Sequence, residues 1–297
     1  MYLNFKLNKM NLGKLQNVLV LAAILIVCIS NVGLAKGKKE IALQMYSLRD
    51  DLKKDLKGTI EKMGKMGYTS LEAAGYSDGK FYGLEPEVFK ALVEANGMKV
   101  ISSHGGPNYT GDQESWDAAM KWWDISIDAH KRAGCSFIVK PSMGDYPYKN
   151  LESIKNTCKY FNAIGAKCNA KGIRFGYHNH NREFSKISDA DELIYDFMLK
   201  NTDPKKVTFE MDVYWVYKGG QKAVEYFNKY PKRFELLHIK DEKEVGASGE
   251  IDFKAIYDNI AKAGTKFAIV EVEQYDYEPL VSVQKSFDYL NNAPFVK

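Results

Sequence analysis

The stretch GYHNHNREF, residues 176–184, sets His178 and His180 one residue apart, directly after the run Gly172, Ile173, Arg174, Phe175. Side chains on a strand alternate between its two faces, so both imidazoles leave the chain on the same side. His238 and Lys240 share a face in FELLHIKD, Glu271 and Glu273 in FAIVEVEQ, and Asp212 shares one with Glu210 in VTFEMDV. Four of the five histidines, His104, His178, His180 and His238, close apolar or β-branched runs of this kind, and Glu72, Glu183, Asp212, Asp241, Glu271 and Glu273 lie at or just past such ends. Imidazoles and carboxylates delivered together by separate strands suit a divalent cation such as Mn, Zn, Co or Mg, with positions left open for substrate oxygens. The same groups also make a metal-free polar lining for a sugar or metabolite pocket, and metal analysis of purified protein separates the two. His130 falls in a helical segment and is expected to be structural.

Eight runs deliver these residues: 41–47, 68–75, 99–105, 136–142, 173–180, 207–215, 234–241 and 267–274. Between them lie segments of helical spacing, the first with Leu52, Leu56, Ile60 and Met63 on one face. Asp189 and Ser282 are read as helix caps, and Gly67, Gly97, Gly134, Gly172 and Gly264 as helix ends. Strands alternating with helices predict a parallel sheet with right-handed crossovers. Eight units, with no G-x-G-x-x-G after the first strand, favour an α/β fold closed as a (β/α)8 TIM barrel over an open doubly wound sheet. In such a barrel the chemistry gathers at the C-terminal ends of the strands, where these polar residues fall.

The chain has 297 residues, 45% of them hydrophobic, which suits one domain with a large core. Lys6, Lys9 and Lys14 precede the apolar run Val18 to Ile29, and Gly33 and Ala35 follow it. That pattern reads as a secretory signal peptide over residues 1–35, with the barrel domain over 36–297 and an exported, periplasmic or extracellular product. The run is shorter than the roughly 20 residues that span a bilayer, so no stable membrane insertion is expected after cleavage. An uncleaved N-terminal anchor, or lipidation at Cys28, is the rival account. Removal of the segment lowers the formal charge from +4 to +1, too little basic excess for a sequence-independent grip on nucleic acid. Cys135, Cys158 and Cys168 then remain, odd in number and without a CxxC, and read as buried small hydrophobes.

LQMYSLRDDL after the first run, YHNHNREF at the fifth, MDVYW at the sixth, HIKD at the seventh and VEVEQYDY at the eighth together resemble the xylose isomerase-like TIM barrel family, in the branch described as sugar phosphate isomerases/epimerases. The resemblance runs from about residue 41 to about residue 290. It implies a divalent metal, often Mn, held by an acid from strand five, Asp212 from strand six, His238 from strand seven and Glu271 from strand eight. Ketose 3-epimerases of this family carry a glutamate, one of two proton-transfer bases, where this chain places His178. That departure puts simple two-base epimerisation in doubt. Glu183 lies too far along to be a secure substitute, and Glu273 is a rival to Glu271 as ligand.

The chemistry implied is proton removal next to a carbonyl, with Glu271 or Glu273 as base and His180 or Lys240 handling the oxygen protons. Lys240 holding a substrate oxygen or Asp241 is the plainer role. His104, Glu72, Tyr46, Tyr177 and Trp215 are expected to face the substrate, the aromatics, with Tyr214, as flat faces for sugar stacking. Export and the lack of a phosphate-cradling Gly-rich loop favour a non-phosphorylated sugar or keto-sugar. An isomerase/epimerase is the first expectation and a keto-glycoside lyase or dehydratase the alternative. A non-catalytic sugar-binding barrel would keep the aromatics without needing a metal set. An endonuclease of the related type wants a denser metal cluster and a basic groove. The sequence is compatible with a homo-oligomer and does not specify one.

Overall fold

The computed structural model describes residues 39–297, so the expected signal peptide and Cys28 lie outside the described residues. The eight expected runs each supply one strand: β1 (Ala42–Gln44), β2 (Ser70–Ala73), β3 (Lys99–Ser103), β4 (Phe137–Lys140), β5 (Arg174–His178), β6 (Val207–Asp212), β7 (Leu236–Lys240) and β8 (Phe267–Glu271). They form one parallel sheet in the order β3-β2-β1-β8-β7-β6-β5-β4. Its two ends meet where His104 bridges Val139; there Gly105 N–H donates to the Val139 carbonyl and Ser136 N–H to the Ile101 carbonyl, each at 2.9 Å. The sheet thus closes into the expected TIM barrel.

Helices follow each strand and cover the barrel. Asp112 caps Gln113–Arg132 by accepting from Ser115 N–H, and Asn150 and Ser153 form a capping box at the start of Leu151–Ala170. Gly67 and Gly264 end their helices in the left-handed region, at φ 110° and 84°. Two expected caps are misplaced. The helix Ile194–Asn201 starts after Leu193, and Asp189 instead accepts from Leu151 N–H, capping a helix that is distant in sequence. Ser282 lies inside the helix Pro279–Asn292, whose first position is proline, and its hydroxyl turns to Glu244. His130 is fully buried, with Nδ1 2.7 Å from the Ser126 carbonyl, and is structural as expected. Cys135, Cys158 and Cys168 are free and buried.

Strand alternation sorts the barrel into two apolar compartments. Ala42, Ile101, Phe137, Val139, Leu236 and Ile269 plug the interior at its N-terminal end, while a larger cluster fills the layer between sheet and helices. Above the plug the inward positions become polar. One irregularity matters for that polar layer: the pairing of β2 with β3 shifts register between Leu71 and Glu72, which skips Ile101. A bulge of this kind resets the inside-outside alternation. It lets Ile101 and, three residues later, His104 both face inward.

Gly165 sits mid-helix, where glycine is normally unfavourable by roughly 1 kcal/mol relative to alanine. Its place is explained by the close approach of the segment leading into β6: a Cβ there would lie 2.3 Å from the Lys206 carbonyl oxygen. Gly165→Ala should therefore destabilise the barrel by about 1–3 kcal/mol despite its better helix propensity. Urea unfolding measures this, and an unchanged or raised midpoint would contradict the packing argument.

Candidate metal centre and sugar site

Two polar tiers stand above the apolar plug. The lower tier contains Gln44 from β1, Glu72 from β2, His104 just past β3, and Glu210 from β6. Gln44 Nε2 donates to Glu72 Oε1 at 2.6 Å, and His104 Nε2 lies 2.7 Å from Glu210 Oε2 and 3.0 Å from Glu72 Oε1. The upper tier contains Asp212, Lys240 and Glu271, with Glu273 at its rim. His178 and His238 stand between the tiers and touch both.

Each of these two rings has one nitrogen toward either tier. His238 Nε2 lies 2.8 Å from Glu72 Oε1 and 3.2 Å from Glu210 Oε2, while its Nδ1 lies 3.3 Å from Glu271 Oε2 and 4.0 Å from Asp212 Oδ2. His178 Nδ1 is 3.3 Å from Glu210 Oε2, outside hydrogen-bonding alignment, and its Nε2 is 3.9 Å from Asp212 Oδ2. A neutral imidazole has a single lone pair. Without an ion, burial opposes a charge on His238, but Glu210, Glu271 and Glu72 outweigh it and hold the ring protonated; a cation in place of its Nδ1 proton would leave the Nε2 N–H turned down to Glu72 and a lone pair facing Asp212 and Glu271.

His178, Asp212, His238 and Glu271 offer ligand atoms within 4.8 Å of one another, and all four residues are buried. Donors held roughly 2.1 Å from one ion stand about 3–4 Å apart, which matches the separations above. Asp212 Oδ2 is buried with no hydrogen-bond partner, the state of an oxygen whose natural partner is a cation. The four residues therefore fit a divalent metal. His104, His178, Glu210 and His238 also lie within 4.8 Å of one another, but that set would need the opposite nitrogens of the same two rings. One neutral ring cannot serve both.

The electrostatics follow from burial. Burial pushes the Asp212 carboxyl up to about 7 against the pull of the Lys240 ammonium. Burial and the adjacent Glu72 raise Glu210 to about 7 as well. Burial would also raise Glu271, but the charges of Lys240 and then His238 outweigh it and hold this carboxyl well below the usual range. Burial opposes the charge on His104, yet Glu72 and Glu210 overcome it and lift His104 to about 10. For His178, burial and the neighbouring imidazoles act together and keep the ring neutral, as a ligand requires. Lys240 lies 3.0 Å from Glu271 Oε2, pairs closely with Glu273, and sits 5.1 Å from the centre of the Trp215 ring.

Above the upper tier opens a cavity of about 370 Å³, lined by Tyr46, Ala74, His104, Pro141, Ser142, His178, His180, Glu271 and Glu273. The other residues expected here divide as follows. Trp215 backs the mouth, with its ring 5.6 Å from that of His180. Glu72 lies beneath the cavity and reaches it only through His104 and His238. Glu183 accepts from His180 N–H, Tyr148 and Tyr177, and anchors the loop after β5 instead of entering the site. Asp241 takes Gly246 and Ser248 N–H and orders its own loop.

Tyr177 is a correction. It neighbours His178 on β5, so alternation turns it outward, where it is fully buried against Phe161 and Phe209. Glu210 and Gln44 were missed as site residues, although Glu210 shares its face with Asp212. Tyr177→Phe should leave sugar binding unchanged while lowering stability by about 1–3 kcal/mol, because buried Glu183 loses a donor. A change in sugar affinity at unchanged stability would return Tyr177 to the site.

A model of the xylose isomerase-like TIM barrel matches residues 60–293. A crystal structure titled sugar phosphate isomerase/epimerase, from Parabacteroides distasonis, is 37% identical, covers 87% of this chain and 100% of its own, and superposes with a TM-score of 0.82. D-psicose 3-epimerase from Clostridium cellulolyticum shares the fold at 16% identity and a TM-score of 0.69, covering 86% of this chain and 99% of its own. Among curated proteins, inosose dehydratase from Lacticaseibacillus casei is 22% identical over 277 residues, 79% of this chain and 89% of that protein. The chain belongs to the xylose isomerase-like TIM barrel family.

Proposed function

We propose that this chain is a divalent-metal-dependent enzyme that removes a proton next to the carbonyl of a non-phosphorylated sugar or keto-sugar, in the isomerase/epimerase class. The observation that carries this reading is the convergence of His178, Asp212, His238 and Glu271 within 4.8 Å beneath an open cavity. Two imidazole nitrogens and two carboxylate oxygens suit Mn, Zn or Co better than a cation wanting oxygen alone. When bound, such an ion supplies Lewis-acid stabilisation of the charge that develops on a carbonyl oxygen.

The protein's own groups do the rest. Glu271 is engaged by His238 and Lys240 and belongs to the donor set, whereas Glu273 reaches the cavity held by Lys240 alone, so Glu273 is assigned as the base. Lys240, held as an ammonium by Glu271 and Asp212 against the cost of burial, donates to a substrate oxygen or returns the proton. His180, which burial and then Lys240 keep below its ordinary value, is the second carrier for oxygen protons at the rim. Tyr46 offers the sugar an exposed ring face. Glu72 holds the orientation of His238 from below through its Nε2.

A second reading is supported by the wall opposite β8. There the cavity is lined by His178, Pro141 and Ser142, so its carboxylates come from the end of β8, Glu271, and from Glu273 two residues beyond. A one-sided base suits elimination of a β-substituent, which needs one base and one acid, and the dehydratase relatives agree with that outcome. The basic, apolar and small-residue pattern of the N-terminus supports export of the product and hence a non-phosphorylated substrate.

The deciding experiment incubates Mn-loaded protein with sugars and 3-keto-glycosides in D2O. Deuterium at one carbon of an intact skeleton supports isomerisation or epimerisation, an unsaturated product supports elimination, and the absence of both defeats the proposal. Glu273→Gln should slow the reaction by about 10²–10⁴-fold. Chelation should abolish it and Mn restore it. In a direct metal titration, Glu72→Gln should weaken affinity by about 10–100-fold through loss of its hold on His238, and Asp212→Asn by more.

A further inference from the structure

The sugar cavity does not end at the metal set. Tyr46 and Ala74 line it and also line an adjoining cleft of about 660 Å³, so the two voids meet at these residues. The cleft lies over the loops after β1 and β2 and is walled by Tyr46, Arg49, Leu52, Lys53, Leu56 and Tyr82. Each space lies within the range of about 300–1,000 Å³ typical of ligand sites, and together they exceed what one sugar ring fills.

The walls are built and held. Arg49 stands 4.8 Å from the centre of the Tyr46 ring and is itself fixed by the Tyr275 hydroxyl at 2.7 Å and by the Glu273 carbonyl at 3.4 Å. Tyr46 N–H donates to Gln44 Oε1 at 3.0 Å, which ties this ring to the lower polar tier. On the far side, Tyr82 is held in the left-handed region at φ 51°, a conformation that costs a non-glycine residue of order 1–3 kcal/mol and gathers at ligand sites. Its hydroxyl accepts from Ala74 N–H at 3.0 Å, so the strained residue fixes the strip where cleft and cavity join. Asp50 and Lys53, the remaining charges, are exposed and paired with each other. The cleft therefore offers aromatic and aliphatic faces with a few hydrogen-bonding groups at its rim, and no buried charge for acid-base work.

We infer that this cleft is a second subsite for the remainder of a glycoside, the neutral sugar ring or aglycone attached to the sugar held above the metal set. This rests on the proposed sugar chemistry of the cavity and makes the substrate a glycoside, not a free monosaccharide. Tyr46 stands between the subsites, and Arg49 links the cleft to the backbone of Glu273.

The test is calorimetric binding to the full chain, with no turnover required. The probes are glucose, galactose and mannose, their methyl and p-nitrophenyl β-glycosides, and cellobiose. At least one glycoside should bind about tenfold or more tightly than its own free sugar. Leu56→Trp, which fills the cleft, should erase that gain and leave free-sugar binding unchanged. If the tryptophan variant does not fold, Tyr46→Ala should weaken the favoured glycoside by a larger factor than the free sugar. The inference is overturned if no probe exceeds its free sugar, or if the gain survives either variant. Repeating the titrations after chelation separates the two proposals: the glycoside preference should persist without metal, whereas failure of the metal reading appears only in the metal titration.

Discussion

Putting several ionisable groups inside a closed barrel is tolerable only if each meets an opposite charge, because an isolated charge in a low-dielectric interior is strongly disfavoured. Glu72, Glu210, Asp212 and Glu271 are all buried. His104, His238 and Lys240 answer them at hydrogen-bond or ion-pair distance, and the balance is close enough that Asp212 and Glu210 titrate near 7 while Glu271 is held far lower. This compensation orients the rings and leaves one oxygen of Asp212 without a hydrogen bond, with Lys240 3.9 Å away, a state that a divalent cation would complete.

Barrel geometry supplies the pairing. Layers inside such a barrel draw on alternate strands. Here the odd strands and the turn after β3 bring Gln44, His104, His178 and His238, whereas the even strands bring Glu72, Glu210, Asp212 and Glu271. Register sets the neighbours: Gln44 pairs with Glu72, His178 with Glu210 and Asp212 with His238. Acid next to imidazole is thus a consequence of how parallel strands line up around the barrel.

Much of this was legible in the chain itself. Eight β-branched runs separated by helical spacing specify the barrel, and alternation correctly grouped His238 with Lys240 and Glu271 with Glu273. The same rule already turned Tyr177 away from His178, so its expected sugar contact failed against information present in the sequence. His104 was rightly expected at the site from its place at a strand end, but its inward turn does not follow from alternation. It depends on a register slip at Ile101 that no side-chain pattern announces. Asp189 and Ser282 were misread because a cap was sought next to each residue, while their partners, Leu151 N–H and Glu244, are distant in sequence. Glu72 was expected against the substrate and Glu210 was passed over, whereas both sit a tier lower, because depth inside a barrel is a tertiary property.

The closure between β3 and β4 bears on the cluster in another way. That junction has one bridge, His104 to Val139, where other neighbouring strands share longer ladders. Lys140 reinforces it by reaching across to the Gly106 carbonyl at 3.0 Å and Asn108 at 2.7 Å. The least-laddered joint of the cylinder therefore carries one of its three central imidazoles. Local opening favours the element with the fewest backbone ties, so this joint is where the cylinder would first come apart, and His104, bonded to acids on β2 and β6, acts as its latch from within.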